Sequence, residues 1–180
     1  MAARSAYCGL ASKGDGTYLY LMPAVDGGKN LEFADVDAYM THMNISYDKV
    51  LINTSLGSLT ERKEFKVSDE RLKFPEDEYV QIFVAPDKLT ATAKFWPPAD
   101  GGLDLTIDDI VQKLGINNVR FGFDMMEIKR HTLEKDYCVD IVVAKAKMPR
   151  EGTPAEIKYN FNTAPDRRPR LNDDGSVDFH

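Results

Sequence analysis

Three histidines, two cysteines and a few clustered carboxylates are the groups in this 180-residue chain that could do chemistry, and their spacing decides how much. His42, His131 and His180 lie in unrelated segments with no HxxxH or HExxH pair, so a metal centre built on histidine is not expected. His42 and His131 each fall on the more polar side of a predicted helix and read as solvated surface residues. Cys8 and Cys138 are far apart and lack CxxC spacing, which suggests neither a zinc site nor a disulfide framework. Each sits in a strand-like apolar run and reads as a buried free thiol in a reducing cytoplasm. Asp104, Asp108 and Asp109 would suit Mg²⁺ or general-acid chemistry, but an acidic first helical turn complements the helix dipole and explains them more simply. A hydrolytic enzyme would rest on these scattered carboxylates alone, so no catalytic residue, metal ligand or cofactor is assigned.

Two related phrases carry the remaining candidates. "LMPAVDGG" at 21–28 and "FWPPADGG" at 95–102 each place a Gly-Gly pair between a strand and a helix, where helix N-termini bind anions. Neither contains GxGxxG or GxxxxGK[ST], and Asp26 and Asp100 put negative charge where an anion would sit. Turn geometry is the better reading. Pro23, Asp26, Gly27 and Gly28, with Phe95, Trp96, Pro97, Pro98, Asp100, Gly101 and Gly102, are therefore candidates either for partner contact or for a structural strand exit. Period-two alternation would turn one of Phe95 and Trp96 toward the helices and the other outward, with Tyr18 and Tyr20 at corresponding places in the first phrase. An outward aromatic beside Pro-Pro would suit a protein partner, while core packing is the commoner fate of a lone tryptophan.

Composition narrows the partners. Lysine and arginine total 23 against 29 aspartates and glutamates, a net charge of −6 that repels phosphate backbones. Nucleic acid is thus a poor partner, and the one basic knot, "DRRPR" at 166–170, reads as an electrostatically docking linker. No apolar run approaches the roughly 20 residues of a membrane span, and the N-terminus lacks the apolar core of a secretory signal.

The elements that position these residues recur. At an offset of 74, Ala11, Pro23, Asp26, Gly27, Gly28, Leu31, Asp35 and Asn44 meet Ala85, Pro97, Asp100, Gly101, Gly102, Leu105, Asp109 and Asn118 without a gap. Each copy reads as a hairpin ("AYCGLAS" with "TYLYLM"; "VQIFVAP" with "ATAKFW") stopped by proline, which cannot donate to the ladder. Short amphipathic helices follow, "LEFADVDAYMTHM" and "LTIDDIVQKL", the latter with Thr106 as N-cap and Asp109 completing a capping box. A brief strand comes next ("NISY", "NVRF"), then a second helix, opened in the second copy by Asp124 with Glu127, and a last strand ("EFKV", "VDIVVA"). The expectation is an α+β protein of two tandem related units, 1–75 and 76–163, each hairpin, helix, strand, helix, strand. The second unit carries an extra strand, "AEIKYNF", paired with "VDIVVA", and 164–180 is an extended connector toward an absent C-terminal region.

The run "FWPPADGGLDLTIDDIVQKLGINNVRFGFDMMEIKRHT", with "IVVAKAKMPREGTPAEIKYNF" and "DDGSVDFH", resembles the N-terminal region of the flagellar assembly protein A family, long filed as a domain of unknown function. Shared features are the Pro-Pro and Gly-Gly hairpin exit, a Gly-Ile-Asp-like helix start at Gly122, Phe123 and Asp124, and a closing Gly-x-Val-Asp phrase. The family's Ala-x-Gly-x-Pro-Pro turn stands here as Ala144 to Pro149, with alanine and methionine in place of a glycine and a proline. The resemblance covers at least 78–180 and more weakly the first copy. It implies non-enzymatic, cytoplasmic interaction or scaffold work in flagellar assembly or polar placement, through protein partners and self-association by a β-solenoid behind this region. The alternative is an RNA-associated cell-elongation or cell-division regulator, whose modules carry a similar helix, Gly-Ile, strand phrase.

Overall fold

Alternating apolar residues build the strands, and proline ends them. β1 (Tyr7–Lys13) pairs antiparallel with β2 (Gly16–Met22), and Pro23 follows immediately. Helices α1 (Phe33–His42) and α2 (Lys49–Leu56) come next, and β3 (Lys63–Ser68) returns beside β2. The second copy repeats this with β4 (Tyr79–Val84), β5 (Thr90–Trp96), α3 (Ile107–Ile116), α4 (Met125–Glu134) and β6 (Ile141–Lys145), giving sheets ordered β1-β2-β3 and β4-β5-β6. The computed structural model describes residues 3–147, 151–152, 154–158, 160 and 170–178. The class is α+β with two similar units, and both lie inside one compact body, Met1–Lys147, around a shared hydrophobic core.

The duplication extends to fine detail. A β-bulge interrupts the ladder between Thr17 and Tyr18 in one sheet and between Ala91 and Thr92 in the other, the same place at the offset of 74. The gapless alignment fails only at the hairpin turn: Tyr7 opposite Met22 corresponds to Tyr79 opposite Trp96, so offsets are 72 before the turn and 74 after it. A slip of two residues is one pleat period, which preserved the inward and outward pattern and hid the insertion.

The brief strand expected between the helices is absent. Asn44 and Asn118 take left-handed backbone at φ 55° and 64°. Ile45 N–H donates to Met40 O (3.1 Å) and Val119 N–H to Leu114 O (2.9 Å), while Asn44 and Asn118 donate to Thr41 and Gly115. These are Schellman C-caps, so the apolar residue after each asparagine closes a helix instead of starting a ladder. Each copy is therefore hairpin, helix, helix, strand. The extra strand also fails to form at the described residues 154–158 and 160, and 159 and 161 lie outside those described. The outer edge of β6 is already engaged: Lys145 N–H donates to Gly122 O (2.9 Å) and Asp124 N–H to Val143 O (2.8 Å).

N-caps fix the helix starts. Thr106 and Asp109 form the expected capping box on α3, and Asp124 Oδ1 accepts Glu127 N–H (3.3 Å) on α4. Glu127 itself turns away to pair with Arg130 at 2.6 Å. Asp48 caps α2 through Leu51 N–H (3.0 Å), and the Thr54 and Ser55 hydroxyls donate back to the Val50 and Leu51 carbonyls, which satisfies these side chains within the helix.

In the second body, Met148–His180, the described part of the expected extended connector is a small hairpin: β7 (Arg170–Leu171) pairs with β8 (Val177–Asp178). Gly175 at φ 83° and Asp174, which accepts Ser176 N–H (2.9 Å), shape its turn. Residues 166–169 of the basic knot, and His180, lie outside the described residues.

Candidate functional site

Both strand exits are built by backbone demands. Gly27 and Gly101 sit at φ 87° and 93°, and Asp26 at φ 52°. At Gly28 and Gly102 a Cβ would collide with the carbonyl oxygens of Arg4 and Glu76. Matching bonds lock the exits: Gly28 N–H to Val25 O (3.2 Å) and Gly102 N–H to Ala99 O (2.9 Å), Ala6 N–H to Lys29 O (2.8 Å) and Glu78 N–H to Leu103 O (2.9 Å). Gly102→Ala is expected to cost about 1–3 kcal/mol, as backbone is forced aside. Gly14→Ala, whose Cβ would meet nothing within 4 Å, should change stability by less than ~0.5 kcal/mol; urea unfolding of the pair tests this.

The second exit does not hold a vacant anion cradle. Leu103 N–H donates to Asp77 Oδ1 (2.9 Å), Leu105 N–H to Glu78 Oε2 (2.8 Å) and Thr106 N–H to Asp109 Oδ2 (2.9 Å), so the chain's own carboxylates fill the place of a phosphate. Hydrogen bonds from Thr106 hold the Asp109 carboxyl below its usual range. Asp104 pairs with Lys135 at 3.2 Å, so two of the three clustered acids are spent on an ion pair and the helix start. Among the described residues, no group of three or more His, Cys, Asp or Glu side chains is placed to hold a metal ion.

Asp26, Gly27, Asp100 and Gly101 lie exposed at the exits, and Pro23, Gly28, Pro98 and Gly102 are partly covered. Phe95, Trp96 and Pro97 are buried, with Phe95 and Trp96 both at 0% exposure, so neither aromatic is an outward anchor. The alternation is real, but β5 is covered on both faces. Phe95 stacks on His131 of α4 at 3.6 Å between ring centroids, while Trp96 stacks on Tyr39 of α1 (6.1 Å) and on Tyr79 (5.2 Å). The first copy's helix thus roofs the second copy's sheet. Beside it, Lys94 reaches across to Asp35 of α1 at 2.5 Å and Asp140 at 3.5 Å. Burial pulls the Lys94 ammonium down, but Asp35 and Asp140 outweigh it and hold it above its usual value.

A buried polar cluster escaped the sequence reading. Glu78 and His131 are 3% and 1% exposed, and His131 Nε2 lies 2.8 Å from Glu78 Oε1. Lys135 Nζ approaches Oε2 at 3.2 Å. Burial pushes the Glu78 carboxyl up, yet the His131 and Leu105 hydrogen bonds and the Lys135 charge more than offset it and leave it below its usual range. His131 Nδ1 has no hydrogen-bond partner among the described residues, so Nε2 is the ring nitrogen that engages the carboxylate. His131 is therefore a core residue, not a solvated one. The signals were present: it follows Ile128 by three on the buried stripe of α4, and Glu78 shares inward parity with Val80 of β4. The cluster belongs to the second copy alone, since Ala6 stands where Glu78 does. His42 is exposed, with its ring stacked on Tyr79 at 3.6 Å. The two cysteines, far apart in sequence, meet in the core: burial, followed by a hydrogen bond with Cys138, pushes the Cys8 thiol up, which removes it from nucleophilic chemistry.

Fold and site together define a duplicated α+β module with backbone-locked strand exits and a buried polar cluster in its second copy. Residues 80–180, more than half of the chain, match the family model described as the flagellar assembly protein A N-terminal region, and the chain belongs to that family. No curated protein and no solved structure matches it. No helix among the described residues is long and apolar enough to cross a membrane.

Proposed function

We propose that the chain is a non-enzymatic, cytoplasmic interaction module that presents a rigid surface to protein partners in flagellar assembly or polar placement. The carrying observation is the family match over residues 80–180. Supporting it, the strand exits with Asp26 and Asp100 and the acidic start of α3 are held by backbone locks and capping bonds, the kind of preorganisation that limits the entropy lost on docking. The contact face comprises the exposed exit residues, with Phe95, Trp96 and Pro97 as the packing beneath.

The test is made in the source cell. A chromosomal Asp100→Lys substitution, which reverses an exposed charge without touching the core, should reduce or misplace flagella while the protein level holds. Wild-type number and position of flagella, both in that strain and in one lacking residues 3–147, would refute the reading.

A further inference from the structure

The duplication provides an internal comparison, because what the fold requires should appear in both copies. At the turn end of the second sheet a groove of about 460 Å³ opens between the β4–β5 turn, the cap of α3 and the end of β6. Its apolar wall includes Leu89, Val119 and Phe121, and Phe121 is 74% exposed. Lys88, Arg120 and Lys145 also line it, and no acidic side chain does. None of these three cations makes an ion pair with a described residue. In a chain of net charge −6, this is a local reversal of sign.

The first copy has no counterpart. Its hairpin turn is shorter by two residues, which removes the overhang that carries Lys88 and Leu89. Ser46 stands where Arg120 does. Tyr47 stands for Phe121 and is tied down by a 2.8 Å hydrogen bond to Asp37. Lys145, one residue past the partner of Ala91, corresponds to Asp69, one past the partner of Thr17, so a cation replaces an anion. The fold therefore needs neither the groove nor its charge. The features also lie wholly within the half of the chain that matches the family model.

We infer that this groove docks an acidic segment of a protein partner, one that seats an apolar side chain against Val119 and Phe121 while its carboxylates meet Lys88, Arg120 and Lys145. A small anion would satisfy the cations but leave the exposed Phe121 and Leu89 uncovered, whereas a peptide carrying both chemistries covers both. Unpaired cations around an apolar floor supply attraction at long range and fix orientation at short range. This inference rests on the interaction reading above and adds to the strand-exit face a second contact surface with its own partner chemistry.

Random peptides of about a dozen residues, selected on the immobilised full chain and then titrated singly, test it. The enriched peptides should carry an apolar residue flanked by Asp or Glu. Binding should weaken about tenfold or more on the combined Lys88→Glu, Arg120→Glu and Lys145→Glu variant, and with rising salt. All three positions are exposed, and circular dichroism confirms that the variant is folded. Lys129→Glu, an exposed cation of α4 outside the groove, should leave this binding intact. The inference falls if no peptide is enriched, if the enriched set shows no acidic bias, if the triple variant binds equally, or if pyrophosphate or RNA binds the groove and peptides do not. Should it fall while the Asp100→Lys strain still loses flagella, the function proposed above stands with its contact face at the strand exits.

Discussion

Trp96→Ala lowers the unfolding free energy by about 3–5 kcal/mol, the range found when a large buried aromatic is truncated. The indole has no exposed surface and lies between Tyr39 of the first copy and Tyr79 of the second, so its removal opens a cavity at the seam between the two units. Its Nε1 makes no hydrogen bond with a described residue, so the loss is one of packing and aromatic contact. Phe83→Ala in the same sheet, at a side chain 63% exposed, is the control; it should cost less than ~0.5 kcal/mol. Urea unfolding of both variants checks the contrast. Equal costs would mean that the first copy does not roof the second. A Trp96 variant accordingly probes stability, and only exposed positions such as Asp100 probe contact.

Glu78→Gln is expected to cost about 1.5–3 kcal/mol, because it removes the charge from a buried carboxyl that accepts Leu105 N–H and meets His131 Nε2, while the partly exposed Lys135 keeps Asp104 as a partner. The pH dependence identifies the cause. The folded carboxyl lies below its ordinary value, so the unfolded chain takes up this proton more readily than the folded one. The stabilisation is present above the unfolded value of about 4.3 and is lost as pH falls through the folded value. Wild-type stability should therefore rise with pH across about pH 3 to 5, and Glu78→Gln should flatten part of that slope. An unchanged slope would place the titration on other carboxylates and leave Glu78 a neutral packing group.

What the sequence disclosed and what it hid follow from how local each signal is. Hairpins, proline stops, the Thr106 capping box and the tandem repeat are written in neighbouring residues and appear where expected. The class, two similar α+β units, followed from them. Ile45 and Val119 misled because an apolar residue after asparagine looks alike in a strand and in a Schellman cap; only the left-handed asparagine separates the two. Trp96 misled because alternation shows that neighbouring residues face opposite ways, not that the second face is open. Its cover, α1, comes from the other copy, dozens of residues earlier. Glu78 and His131 each carried a local sign of burial, but their pairing did not, since only the fold brings them together at 2.8 Å. The strand exits were legible as shapes through Gly27, Gly28, Gly101 and Gly102, and the structure adds the carbonyls that forbid a Cβ. The basic groove needed the two-residue slip at the turn, which the gapless alignment concealed.

The most direct measurement of the central claim is affinity capture from the source cell with the full chain and its Asp100→Lys variant as bait, followed by mass spectrometry of bound protein and quantification of bound RNA. Flagellar or polar proteins should be enriched by the wild-type chain and lost with Asp100→Lys, and RNA should stay at background. Recovery of RNA in place of those proteins, or equal recovery by both baits, would contradict a module that works by presenting its strand exits to protein partners.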